Sequence, residues 1–181
     1  MRLALIGSRE TPRRVLDVMS LTGQALSESG HFSYSGGAPG ADESWLSRYD
    51  RERSLRIIPY EGFNGLKTGV GVKVWKDFPN EVRIRSVIKA REVTSYWDEC
   101  RDIVKTLFAR NALQVLGEDC QSPVDMVLFY APIKLSSVTG GTRVAVDIAK
   151  RHGIPCYNLY EKEIYQRFKE KYAPTFDIFA L

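Results

Sequence analysis

Short apolar runs alternate with stretches of helical periodicity along this chain. Leu3 to Ile6 is a continuous apolar run, typical of a strand covered on both faces. Thr11 and Pro12 mark a helix start: a capping hydroxyl, then a proline suited to the first helical position. Val15, Val18, Met19, Thr22, Ala25 and Leu26 recur at helical spacing until Gly30 ends the pattern. His31 to Ser35 reads as a second strand. Gly36 to Asp42 is a turn that opens a second helix carrying Trp45, Leu46 and Tyr49, and Leu55 to Tyr60 is a third strand.

Glu61 to Lys76 is rich in glycine and reads as a long loop, a kind of segment that is more often functional than idle. From Asn80 to Leu116 the pattern is helical, with a break near Thr94 to Tyr96 and a stop at Gly117. Val124 to Tyr130 is a strand, Ala131 to Val138 a loop, and Thr142 to His152 a helix with Val144, Ala145, Ile148 and Ala149 on one face. Pro155 to Leu159 is a fifth strand, and Glu161 to Tyr172 a charged terminal helix. Strands alternating with helices predict an α/β fold: a Rossmann-like three-layer sandwich with a mainly parallel sheet and right-handed crossovers. We expect one domain over residues 1–181, with 61–107 as a loop and helical insertion.

Composition narrows the class. The chain has 181 residues, 44% hydrophobic and 27% charged, enough to bury a substantial core and unlike a disordered chain. Lys and Arg number 26 against 22 Asp and Glu, a net charge of +4 that suits an anionic ligand and equally an ordinary basic protein. No apolar run approaches the roughly 20 residues that span a bilayer. Cys100, Cys120 and Cys156 are widely spaced and form no CxxC unit, and His31 and His152 are isolated. The expectation is a cytoplasmic protein without disulfides, a metal site or a resident cofactor.

Three strand-to-helix turns carry the candidate chemistry: Gly7-Ser8-Arg9, Ser35 to Asp42, and Thr139-Gly140-Gly141-Thr142. In a parallel sheet such turns share one edge, where ligands bind near the point at which strand order reverses. Glycine admits a ligand close to the backbone, and the helix start beyond it offers free N–H groups to a phosphate. Ser8, Ser35 and Thr142 can donate hydroxyl bonds, and Arg9 a bidentate pair. The turns contain neither GxxxxGK[ST] nor GxGxxG. Asp42, in the first turn of its helix, reads either as a favourable helix-dipole charge or as a carboxylate that faces a ribose or acts in catalysis. Glu43 has the same two readings.

Taken together, these motifs resemble the SLOG superfamily of Rossmann-like proteins. The resemblance rests on the strand ending in Gly-Ser-Arg, on Ser-Gly-Gly-Ala-Pro-Gly-Ala-Asp, on Arg110-Asn111, and on Gly-Gly-Thr before a helix that leads to Gly-Ile-Pro. It covers residues 1–60 and 108–160, closest to the YspA/YpsA-like and DNA-processing protein A branches and more distantly to the Lonely Guy phosphoribohydrolases. The resemblance implies a phosphate-bearing ligand, nucleotide-like or a nucleic acid backbone, over the three turns. It assigns binding to Gly7, Ser8, Arg9, Ser35, Gly36, Gly37 and Gly40, to Asp42, to Arg110 and Asn111, and to Gly140, Gly141 and Thr142. The chain departs from the Lonely Guy pattern, because Ala145 stands where that group carries a glutamate.

The expected function is binding of a phosphate-bearing nucleotide or nucleotide-derived ligand, as a sensor or a nucleotide-processing hydrolase. In the hydrolase, Asp42 or Glu43 would serve as acid/base on a nucleoside monophosphate. The alternative is single-stranded DNA binding of the DNA-processing type, which needs a basic groove and aromatic platforms. A homo-oligomer is expected, since Rossmann-like edges often pair with a neighbour.

Overall fold

The apolar run at Leu3–Ile6 becomes the centre of the sheet, and everything else is arranged about it. The structure is a computed structural model that describes residues 1–174; the last residues of the expected 1–181 domain lie outside the described residues. In chain order the elements are β1 (Arg2–Gly7), α1 (Arg13–Glu28), β2 (Phe32–Ser35), α2 (Ala41–Trp45), β3 (Ser54–Ile58) and β4 (Val72–Val74). There follow α3 (Asn80–Glu92), α4 (Asp102–Leu116), β5 (Met126–Tyr130), β6 (Ile133–Lys134), β7 (Ser137–Val138), α5 (Thr142–Arg151), β8 (Cys156–Asn158) and α6 (Lys162–Tyr172).

Six strands form one sheet in the order β4-β3-β2-β1-β5-β8, with every neighbouring pair parallel. Side chains alternate between the two faces, as strand geometry requires. Ala4, Ile6, Ile57, Val127 and Phe129 point into a core closed by α3, α4 and α5. Leu3, Leu5, Leu128 and Tyr130 point into a second core closed by α1, α2 and α6. This is the expected Rossmann-like α/β fold with helices on both faces. β1 lies between β2 and β5, so strand order reverses there and the loops after β1 and β5 diverge.

Four local readings change. Val72–Val74, placed within a long loop, pairs with β3 through Arg56↔Val72 and Ile58↔Val74; a three-residue strand among glycines is too short to show its period. Ala131 to Val138 contains the antiparallel β6–β7 hairpin, whose turn residues Leu135 and Ser136 both have positive φ. The Thr11 hydroxyl donates to the Ser8 carbonyl at 2.7 Å instead of capping α1, and Pro12 takes the cap position. The second helix ends at Trp45, where Arg56 donates to the Leu46 carbonyl at 2.9 Å and satisfies it outside a helix.

α1 and α2 meet at a glycine. A Cβ added at Gly23 would collide with the Trp45 carbonyl oxygen. That oxygen belongs to backbone, and the Trp45 ring is anchored by donation from Nε1 to the Ile6 carbonyl at 3.1 Å. Gly23→Ala is therefore expected to destabilise the fold by about 2 kcal/mol, overpacking exceeding the helix-propensity gain. Urea unfolding reads this directly; unchanged stability would mean that the two helices separate freely.

Candidate functional site

The first two turns interlock before either can meet a ligand. The Ser8 N–H donates to the Tyr130 carbonyl at 2.8 Å, and the Ala41 N–H donates to the Ser8 carbonyl at 3.1 Å. Gly40, at φ +86°, leaves room for the Arg9 carbonyl, which would stand 2.6 Å from a Cβ there. Gly7 likewise lies against Ala41 and the Tyr130 carbonyl, each 2.7 Å from where its Cβ would stand. These glycines let β1, β5 and the start of α2 approach one another closely.

Asp42 sits inside this joint and is only 5% exposed. The Gly7 N–H donates to its Oδ1 at 2.9 Å and the Ala38 N–H to its Oδ2 at 3.3 Å. Burial pushes its pKa above the ordinary carboxylate value, while nearby Arg110 and the amides of Ala38, Gly7 and Gly36 act in the opposite direction. The carboxylate thus ties both turns together.

Arg110 projects from α4 towards the same joint and is 5% exposed. Its Nη1 donates to the Ile57 carbonyl at 3.1 Å, and its Nε is buried without a hydrogen-bond partner. Burial pulls its pKa down to about 10, with Asp42 raising it and Arg9 lowering it further, so it stays charged at neutral pH. The guanidiniums of Arg9 and Arg110 lie over the same ring, Phe63, at 6.0 and 5.5 Å from its centroid. The Arg9 charge is felt by Arg110, and Asp42 offsets it in part. Gly36 makes the arrangement possible: a Cβ there would collide with the Arg110 guanidinium and stand 2.6 Å from Asp42 Oδ2.

The third turn closes the far wall. Asn111 Nδ2 donates to the Gly141 carbonyl at 3.0 Å, so α4 fixes the Gly140–Gly141 bend. Nothing stands within 4 Å of a Cβ at either glycine, and no side chain caps α5. The N-terminus of α5 opens beside the arginines. Between these walls lies a cavity of about 630 Å³, within the usual range for small-molecule sites. Gly7, Ser8 and Arg9 line one side and Gly140, Gly141 and Thr142 another. Asp42, Arg110 and Asn111 line it as well.

The remaining predicted residues lie elsewhere. Ser35 is fully buried behind Gly36, and its hydroxyl has no partner. Gly37 packs towards Leu66 and Ile58, while Gly40 serves the joint described above. Glu43 is exposed and lines the two grooves that flank α2, away from the cavity. Polar cavity-lining residues outside the prediction include Glu10, Lys134 of the β6–β7 hairpin, and Gln114, and Phe63 lies under the two arginines. Gln114 is 2% exposed with Nε2 unpartnered, one helical turn after Arg110. No local signal marks it, since a polar pair four apart on a helix ordinarily reads as a solvated stripe.

The fold and site define an α/β protein with a cationic, glycine-walled cavity at the switch point of a parallel sheet. No family model matches the chain, and no curated protein matches it. A solved structure of DNA processing protein A from Helicobacter pylori, described for its single-stranded DNA binding mode, is similar over 94% of this chain and 80% of that one. The TM-score is 0.60 and the identity 14%, a likeness of fold. Among the described residues no helix is long and apolar enough to cross a membrane.

Proposed function

We propose that the protein binds a phosphate-bearing nucleotide or nucleotide-derived ligand in the switch-point cavity, in the manner of the SLOG superfamily it resembles. The observation that carries this reading is Arg110: a buried guanidinium with an unpartnered Nε, lining the same cavity as the uncapped N-terminus of α5. A phosphate between them accepts from both, and Arg9 reaches it from the exposed rim. Binding is favoured over base release. Both Asp42 oxygens already accept backbone N–H bonds, and Glu43 does not face the cavity.

The second reading, single-stranded DNA binding, takes support from the subject of the similar structure. The aromatic ring lining the cavity weighs against it, because Phe108 is buried and offers no open face for stacking bases. A thermal-shift screen of mono-, di- and cyclic nucleotides, followed by calorimetry at several salt concentrations, tests both. A mononucleotide should bind with a shallow salt dependence, whereas a strand should lose affinity steeply as salt rises. Arg9→Ala is expected to weaken nucleotide binding about tenfold without shifting the melting temperature, because Arg9 is an exposed loop residue. Undiminished affinity in that variant removes Arg9 from the site.

A further inference from the structure

The β2 turn has a second concave side. Ala38 lines the switch-point cavity, and its neighbour Gly37 lines a groove of about 800 Å³ between α2 and the glycine-rich segment before β4. We propose that this groove is a separate anion site, in which Arg51, Arg56 and Lys67 receive the dianionic group of a phosphomonoester.

Arg56 projects from β3 and is partly buried. It donates from Nη2 to the Leu46 carbonyl at 2.9 Å, with a longer 3.5 Å contact from Nη1 to the Ser54 hydroxyl. Both acceptors are neutral, and a guanidinium carries five N–H donors. Arg51 and Lys67 line the same groove, both exposed. Among the described residues none of the three has a carboxylate within ion-pair distance. Of the neighbouring acids, Asp50 pairs with Arg53, and Glu61 accepts from the Thr68 N–H and hydroxyl while Lys67 lies near enough to act on its charge. Glu43 is the one carboxylate lining the groove. Burial and the nearby Arg51 charge both lower the Arg56 pKa, the sign of cations gathered without a counterion.

Among the lining groups three cations stand against Glu43 alone, an excess of positive charge that suits a phosphate dianion. The planar Arg56 fork accounts for a fixed orientation, with Arg51 and Lys67 as mobile charges at the rim. This site stands apart from the switch-point cavity, since the two share no charged residue.

The test is a titration of the full chain with inorganic phosphate at low ionic strength, followed by phosphorus NMR. Arg110→Gln weakens the switch-point cavity about a hundredfold, so the tighter phosphate binding left in that variant reports the groove. Adding Arg51→Gln and Lys67→Gln to it is expected to weaken the remaining binding at least about tenfold. These two side chains are exposed, and an unchanged circular dichroism spectrum confirms the fold. Arg56→Lys, which keeps the charge and loses the fork, should weaken it less. If the Arg110→Gln protein binds no phosphate up to about 10 mM, or if the triple variant binds as well as Arg110→Gln alone, the groove is not an anion site.

Discussion

Replacing Arg110 with Gln is expected to weaken nucleoside monophosphate binding about a hundredfold, and Arg110→Lys about tenfold. Arg110 lines the cavity with its guanidinium donors only partly used, so an oxyanion bound there would make a charge-assisted bond that is missing from the free protein. Such a bond, shielded from water, is worth about 2–3 kcal/mol, the range of a hundredfold change. Lysine preserves a charge near Asp42 but not the planar fork. Calorimetry with the ligand selected by the thermal-shift screen measures both. Equal affinities for wild type and Arg110→Gln would place the ligand away from α4.

Asp42→Ala is expected to produce the largest loss of stability, about 4 kcal/mol at neutral pH and roughly 10 °C in melting temperature. The substitution strands the Gly7 and Ala38 N–H groups without an acceptor and leaves the buried Arg110 charge without its nearby opposite. Removal of a solvent-facing catalytic acid would instead spare the fold. The pH dependence provides a second readout. Burial raises the folded-state pKa of Asp42 above the ordinary 3.8. Folded protein therefore holds this proton more tightly than the unfolded chain, and the contribution to stability falls as pH rises from about that value through the folded pKa. The stability gap between wild type and Asp42→Ala should accordingly be widest in acid and narrow towards neutrality. A gap that widens with pH would show that the amides and Arg110 outweigh desolvation.

The division of labour between Asp42 and Glu43 illustrates what local sequence leaves open. Both follow a glycine turn and both start a helix, so the same two readings apply to each. In the fold Asp42 turns inward to the Gly7 amide, thirty-five positions earlier, and Glu43 turns outward. Arg110 presents the converse case. An arginine within a helix is usually solvated, yet the β2 turn lies across Arg110 because Gly36 has no side chain. Gln114 escaped notice because a glutamine late in a helix is unremarkable until the face it occupies is known to be buried. Val72–Val74 escaped because a short edge strand takes its stability from pairing with β3, which no local period records.

The amino-acid order by itself determined the alternation of strands and helices, the apolar centre at Leu3–Ile6, and the three glycine turns at strand ends. These follow from near-neighbour rules: side-chain period, backbone freedom at glycine, and the right-handed crossover. Only the tertiary structure decided which turn residues line the cavity and which hold the turns together. It also placed Phe63 beneath two arginines and opened a second cationic groove behind Gly37. The reason is that burial and charge environment arise from segments far apart in the chain. A guanidinium becomes a binding group when the partners around it leave one of its donors unfilled, and that depends on residues tens of positions away.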